Sequence, residues 1–277
     1  MSFFRVILLV CSGLLWTAVD AEMAQPTPSA EARAHEFMRQ QPPDWAGAHQ
    51  AFLTAAEAGS PTAMSYLGWI YEQGHGVPAD GERAAHWYAQ AARAGALDYA
   101  LKLGWMYLGG KGVAADRQQS EYWFEYAIAA NYTPARIALA SVLLADALGG
   151  KATARVFEAR DLLTTALEQD NPLAAFFLAR LYLEGIGDQP RDDQRGAHYA
   201  KISAEHGNAQ MQGWLAVLYF SGRGVKKDLI TAAMWAELAA ANGDRFGEQV
   251  RRALQSRLTP EQLETAQHRA QAWTAAH

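Results

Sequence analysis

The feature that most constrains this chain is a spacing that recurs along it. Trp87, Trp123, Tyr199 and Trp235 each lie seven residues after an aspartate, namely Asp80, Asp116, Asp192 and Asp228. Each is followed eight residues later by Gly95, Asn131, Gly207 or Gly243. An aspartate suits a helix start because its carboxylate accepts the orphan amides of the first turn. Glycine or asparagine suits a helix end, where a left-handed backbone is often required. Between these signals the aromatic shares a helical face with the small residue four places on: Ala91, Ala127, Ser203 or Ala239.

A second helical pattern follows each stop. Leu67, Leu103, Leu139 and Leu215 lie eight residues beyond Gly59, Gly95, Asn131 and Gly207. They are followed by Gly68, Gly104, Ala140 and Ala216, and then by Tyr71, Tyr107, Leu143 and Tyr219. A one-residue shift brings Leu178, Ala179 and Tyr182 into the same scheme. Glycine inside a helix costs about 1 kcal/mol of propensity, so Gly68 and Gly104 predict close approach of a neighbouring helix. The pattern ends in the loops EQGHGV, LGGKGV, LEGIGD and FSGRGV, where the first glycine terminates one helix and the second permits reversal into the next. GGKG is not read as a phosphate loop. It lacks the strand–loop–helix setting and the lysine–serine/threonine pair, and His75, Ile186 and Arg223 replace Lys111 in the other copies.

These spacings predict an all-α fold, an α/α solenoid of helical hairpins with helical caps at both ends. The array runs over 44–246, with five full repeats near 63–98, 99–134, 135–172, 173–209 and 210–245 after a capping helix that starts at Asp44. The third repeat departs most. It lacks the glycine-rich loop, and its KATARVFEARDLL stretch has leucine where the others have an aromatic, although a stop at Asn171 is retained. Capping helices follow over 247–277, the last opening at Thr259-Pro260-Glu261-Gln262 with a capping-box pattern. Gly68, Tyr71, Trp87, Gly104, Tyr107, Trp123, Tyr182, Tyr199, Tyr219 and Trp235 form the expected repeat core.

The first 21 residues read differently. One basic residue, Arg5, precedes an apolar run from Val6 to Leu15, and Val19 and Ala21 are spaced for cleavage after Ala21. This is the grammar of a signal peptide for export, with an uncleaved membrane anchor as the alternative. Residues 22–43 form a linker and a first helical segment. Cys11 is the only cysteine and falls in the signal. The mature chain then has neither disulfides nor thiolate chemistry. No other apolar run is long enough to cross a bilayer, and the location expected is the bacterial periplasm, with extracellular release as the alternative. A formal net charge of -5 does not describe a nucleic-acid surface.

Three stretches carry a resemblance: AMSYLGWIYEQGHGVPADGERAAHWYAQAARAG, YALKLGWMYLGGKGVAADRQQSEYWFEYAIAAN and LAVLYFSGRGVKKDLITAAMWAELAAANG. Over residues 45–246 the chain resembles the Sel1-like repeat family, relatives in architecture of tetratricopeptide repeats, and this implies that the α/α solenoid is right-handed. The resemblance implies a scaffold that binds other proteins, and the partner is a secreted effector or an envelope assembly component. It also implies two narrower alternatives. One is an immunity protein that neutralises an antibacterial lipase effector of type VI secretion. The other is a weak cell-wall hydrolase or β-lactamase-like enzyme, which the lack of mature cysteines and of a serine three residues before a lysine disfavours.

The residues show no catalytic motif of their own. The eight histidines form neither HExxH nor a compact ligand set, and no GxSxG elbow is present. No cofactor or metal is therefore expected, and the expected function is non-enzymatic. Partner contact is expected from residues outside the repeat core: Trp69, Trp105 and Arg180 beside the small position of the first helix, and Lys111, Arg223, Lys226 and Lys227 on the loop edge. Trp69 and Trp105 are candidates for an aromatic stripe or, alternatively, for packing between adjacent units.

Overall fold

The computed structural model describes residues 29–276, and among them there are helices and no strands. In chain order these are α1 (Ala30–Arg39), α2 (Trp45–Glu57), α3 (Pro61–Gln73), α4 (Gly81–Arg93), α5 (Leu97–Gly109), α6 (Arg117–Ala129), α7 (Thr133–Leu148), α8 (Val156–Glu168), α9 (Leu173–Arg180), α10 (Asp193–Glu205), α11 (Ala209–Ser221), α12 (Leu229–Ala241), α13 (Arg245–Gln255) and α14 (Pro260–Ala276). A single 3-10 turn, Thr153–Arg155, leads into α8, and α9 widens into a π turn over Leu181–Gly185. The proposed signal segment 1–21 lies outside the described residues.

Helices pair in sequence as α1–α2, α3–α4, α5–α6, α7–α8, α9–α10 and α11–α12, and each pair packs on the next. The fold is an all-α solenoid of helical hairpins. Its core runs as four successive apolar clusters along the array, because one hairpin cannot cover its own apolar faces and needs a neighbour on each side.

The start signals act as local chemistry requires. Asp44, Asp80, Asp116, Asp192 and Asp228 each accept a hydrogen bond from the amide three residues on, at 2.9–3.1 Å. Their own amides donate back to the first helix of the hairpin, to the carbonyls of Phe37, Tyr71, Tyr107, Tyr182 and Tyr219 at 2.8–3.0 Å. One aspartate therefore both starts the second helix and ties it to the first. At the ends, Gly59, Gly95, Asn131, Gly207 and Gly243 all take positive φ.

The third repeat corrects one expectation. The left-handed residue after α8 is Asp170, with φ 58°, and not Asn171. Leu178 lies eight residues beyond Asp170, the same interval as in every other hairpin. The one-residue shift read from the sequence disappears once the stop is placed correctly.

The small position is a close approach, and the ring it meets is the one that follows the recurring aromatic. A Cβ on Gly68 would fall 2.5 Å from the ring of Tyr88, and one on Gly104 would fall 2.3 Å from Phe124. Tyr88 and Phe124 are almost fully buried, whereas Trp87 is half-buried and packs against two neighbouring clusters. Trp123, Trp235, Tyr71 and Tyr182 are buried, while Tyr107, Tyr199 and Tyr219 are half-buried. Successive helical residues point about 100° apart, so one ring fills its own hairpin and its neighbour faces the seam between units. In the later hairpins Ala179 with Ala200, and Ala216 with Ala236, hold the same places with no exposure. Bulk has been traded across the interface.

The second glycine of each loop does more than reverse the chain. Gly76, Gly112, Gly187 and Gly224 sit against the start of the second helix, or the short turn leading into it, in the preceding hairpin. A Cβ on Gly76 would lie 2.6 Å from the Trp45 Cβ, one on Gly187 would lie 2.9 Å from the Thr153 carbonyl, and one on Gly224 would lie 1.9 Å from the Asp193 carbonyl. The fit of Gly112 is mutual, since a Cβ on Gly81 would fall 1.8 Å from the Gly112 carbonyl. The exception is the α7–α8 loop. Gly150 has φ +73°, yet a Cβ there would meet nothing within 4 Å.

At the far end α13 packs on α12, and α14 folds back chiefly onto α12, with Trp273 5.9 Å from Trp235 in an edge-on contact. The capping box that opens α14 is reciprocal: the Thr259 amide donates to Gln262 Oε1 at 3.0 Å and the Gln262 amide to Thr259 Oγ1 at 3.3 Å. Among the described residues no helix is long and apolar enough to cross a membrane.

Candidate functional site

The first helices of the hairpins (α3, α5, α7, α9, α11) turn one stripe toward their partner helices and leave another uncovered. In four of them, α7 excepted, the uncovered stripe includes the residue just before a buried leucine: Tyr66, Lys102, Phe177 and Trp214 precede Leu67, Leu103, Leu178 and Leu215. It also includes the residue two beyond that leucine, which gives Trp69, Trp105, Arg180 and Val217.

Between α3 and α5 this face holds a groove of about 710 Å³. Its walls are largely aromatic, from Tyr66, Trp69, Tyr88 and Tyr99, and its one charged residue is Lys102. The Lys102 ammonium donates to Glu72 Oε2 at 2.7 Å, and the Tyr88 hydroxyl donates to the same oxygen at 2.6 Å. The ammonium also stands 4.6 Å from the centre of the Tyr88 ring, which stacks on Tyr99 at 5.1 Å. Burial, followed by the hydrogen bond to Glu72 and its charge, pushes the Tyr88 phenol well above its ordinary value. Burial would also raise Glu72, but the hydrogen bonds from Lys102 and Tyr88, together with the lysine charge, outweigh it and hold the carboxyl below its ordinary value. Glu72 thus stays an anion and keeps Lys102 and Tyr88 in place. These contacts place the wall with no partner bound.

A second hollow, about 360 Å³, lies toward the other end among Leu183, Trp214, Val217, Arg223 and Phe246. Phe246 is 42% exposed.

The residues singled out from the sequence separate in the structure. Trp69 lines the groove and also packs, 5.8 Å from Trp45 and 4.5 Å from His75. Trp105 is 42% exposed and leans edge-on against Phe124 at 5.2 Å. Arg180 pairs with Glu184 at 2.9 Å. Arg223 is committed to its neighbours, bonding Asp193 and the Leu183 carbonyl, both at 2.8 Å, while it lines the second hollow. Arg191 and then Arg223 hold Asp193 at a pKa of about 2, against the smaller opposing effect of burial. Lys111 and Lys226 are exposed beside Asp80 and Asp192 respectively, and Lys227 lies 6.0 Å from the Phe220 ring. The loop edge therefore carries mixed charge rather than a basic patch. Tyr66, Tyr99, Lys102, Trp214 and Phe246 were not singled out, although the position before each buried leucine signals three of them.

No group of histidine, cysteine, aspartate or glutamate able to hold a metal ion occurs among the described residues. His75 stacks on Trp45 at 4.3 Å, and His198 and His206 are exposed.

The Sel1 repeat family model matches residues 61–95, 98–132, 172–208 and 209–244, which is more than half of the chain. The chain belongs to the Sel1 repeat family. Sel1 repeats generally form non-catalytic scaffolds for protein–protein contacts. The matched copies leave out α7–α8, the hairpin without a glycine clasp on the one before it.

Among solved structures the chain is similar to c5321, a protective antigen present in uropathogenic Escherichia coli strains and displaying an SLR fold. The two are 27% identical with a TM-score of 0.67, over 83% of this chain and 49% of that one. This Sel1 protein therefore spans about half the length of c5321. It is also similar to a Sel1 repeat protein from Oxalobacter formigenes, at 25% identity and a TM-score of 0.62, over 78% of this chain and 87% of that one. A likeness to immunity protein Pa5087 from Pseudomonas aeruginosa, at 18% identity and a TM-score of 0.39 over 82% of each chain, is too weak to carry an argument. No curated protein matches the chain.

Proposed function

We propose that this Sel1 repeat protein is a non-enzymatic adaptor of the bacterial periplasm that binds a partner protein through the uncovered face of its first helices. The partner proposed is a secreted effector or an envelope assembly component. The observation that carries the reading is the groove between α3 and α5. Aromatic residues wall it, and the Glu72–Lys102–Tyr88 contacts hold one of those walls rigid. Rigid aromatic surface loses little conformational freedom on binding, which is why such rings anchor protein interfaces. The periplasmic assignment is supported by the export grammar of residues 1–21.

The test is affinity capture from envelope extract by the wild-type chain and by a plugged variant, Thr62→Arg with Tyr99→Ala, followed by binding of the purified pair. Thr62 is exposed at the groove edge and Tyr99 half-buried in its wall. A partner that binds the wild type and loses at least about tenfold in affinity to the variant, a difference of about 1.4 kcal/mol, supports the reading. Equal capture by both proteins, with both helical by circular dichroism, removes the groove as the binding site. A captured toxin whose activity is blocked on binding would make the adaptor an immunity protein.

A further inference from the structure

One seam in the array is built unlike the others. At α5–α6 against α7–α8 no glycine reaches the preceding hairpin, and Gly150 approaches nothing. Charged side chains span the gap instead. Arg117, the first residue of α6, bonds Glu121 of its own helix and Asp146 of α7, each at 2.6 Å. Arg155, in the turn before α8, reaches back to Glu121 at 2.9 Å and holds Glu158 at 2.9 Å. Arg117 occupies the helix-start position that Trp45, Gly81 and Asp193 occupy at the glycine seams. The polar edge is continued by Gln169, whose amide bonds Asn131 at 2.8 Å and accepts from Thr133 at 2.6 Å. The seam also has an apolar contact, with Phe124 set in the same cluster as Leu139, Leu143 and Leu163.

We propose that this seam is an ionic hinge: the Arg117–Glu121–Arg155 bridge with Asp146 sets the angle between the front of the array (α1–α6) and the back (α7–α14), and salt loosens it. Interlocked backbone atoms hold by shape and short-range contact, of which a gap of about 0.5–1 Å already forfeits a quarter to a half, and mobile ions do not act on it. Charges about 3 Å apart weaken continuously as mobile ions screen them. The front carries the aromatic groove and the back carries the hollow around Trp214 and Phe246. The hinge would therefore set the spacing between two stretches of one binding face. That consequence rests on the binding reading above, whereas the hinge itself does not.

The experiment reads shape without a partner. Spin labels are placed at Glu82→Cys and Lys226→Cys, across the seam, and in a second protein at Gln194→Cys and Arg245→Cys, both behind it, each in a Cys11→Ser background. All four label sites are exposed. Between about 20 mM and 1 M NaCl, where the screening length falls several-fold, the cross-seam mean distance is expected to shift by about 3 Å or more. The pair behind the seam is expected to stay put. Glu121→Gln or the milder Asp146→Asn should give the high-salt distribution already at low salt. Identical cross-seam distributions in all conditions, or an equal shift in the control pair, would overturn the hinge.

Discussion

Between α3–α4 and α5–α6 the contact is backbone on backbone, with Gly81 and Gly112 too close for any side chain. Between α5–α6 and α7–α8 the equivalent contact is side chain on side chain, through Arg117, Glu121, Asp146 and Arg155. Both close a gap between stacked hairpins of one chain. The first depends mainly on shape, with a single ion pair among the described residues, Lys102–Glu72, beside the glycine contact. The second depends on charge, so solvent conditions act on it. A repeat fold can thus keep one architecture while assigning different mechanical properties to individual seams, because each seam is an almost independent nearest-neighbour interface.

The largest expected effect separates the two kinds of glycine. Gly224→Ala and Gly150→Ala both place a side chain at a φ near +70°, a cost of about 1–2 kcal/mol. Only Gly224 also drives its Cβ to within 1.9 Å of the Asp193 carbonyl, adding about 1–3 kcal/mol of overpacking. Urea denaturation should therefore show Gly224→Ala as clearly the less stable of the two. Equal losses would mean that the clasp contributes nothing beyond its backbone angle.

A smaller effect sharpens the trade of bulk inside the hairpins. Gly68→Ala should cost about 1–3 kcal/mol because its Cβ meets Tyr88 at 2.5 Å. In a Tyr88→Ala background, which reproduces the Ala179–Ala200 pair, the same change should cost close to nothing. A double-mutant cycle measures that coupling directly, and additive losses would contradict the contact.

The smallest effect concerns acid. Burial works to raise the Glu121 carboxyl, but the hydrogen bonds and charges of Arg155 and Arg117 outweigh it, so the folded value is depressed below the ordinary carboxylate range. Between those two values the unfolded chain binds a proton that the folded chain does not, so acid favours unfolding. The contribution is complete above the ordinary value and is lost as pH falls through the folded one. The stability gap between wild type and Glu121→Gln, about 1 kcal/mol at neutral pH for a partly exposed network, should shrink over that window. Asp193 and Glu248, both held near a pKa of 2 by arginines, are present in both proteins and cancel from the difference. A gap independent of pH would show that Glu121 is not titrating against its arginines.

The sequence by itself determined the helices, their starts at Asp80, Asp116, Asp192 and Asp228, most of their stops and the presence of close approaches at Gly68 and Gly104. These are local requirements: an aspartate caps from three residues away, and a left-handed residue selects for glycine or asparagine wherever it falls. The stop at Asp170 was misplaced by one because an aspartate and an asparagine stood side by side and both tolerate that conformation. Only the tertiary structure decided which ring fills the hairpin, Tyr88 rather than Trp87, since adjacent positions are equally apolar and differ only in where a neighbour stands. It alone brought Lys102 to Glu72 and Tyr88, and Arg117 to Asp146. Such pairs join residues far apart in the chain, and the charge of a side chain says nothing about which partner the packing will deliver.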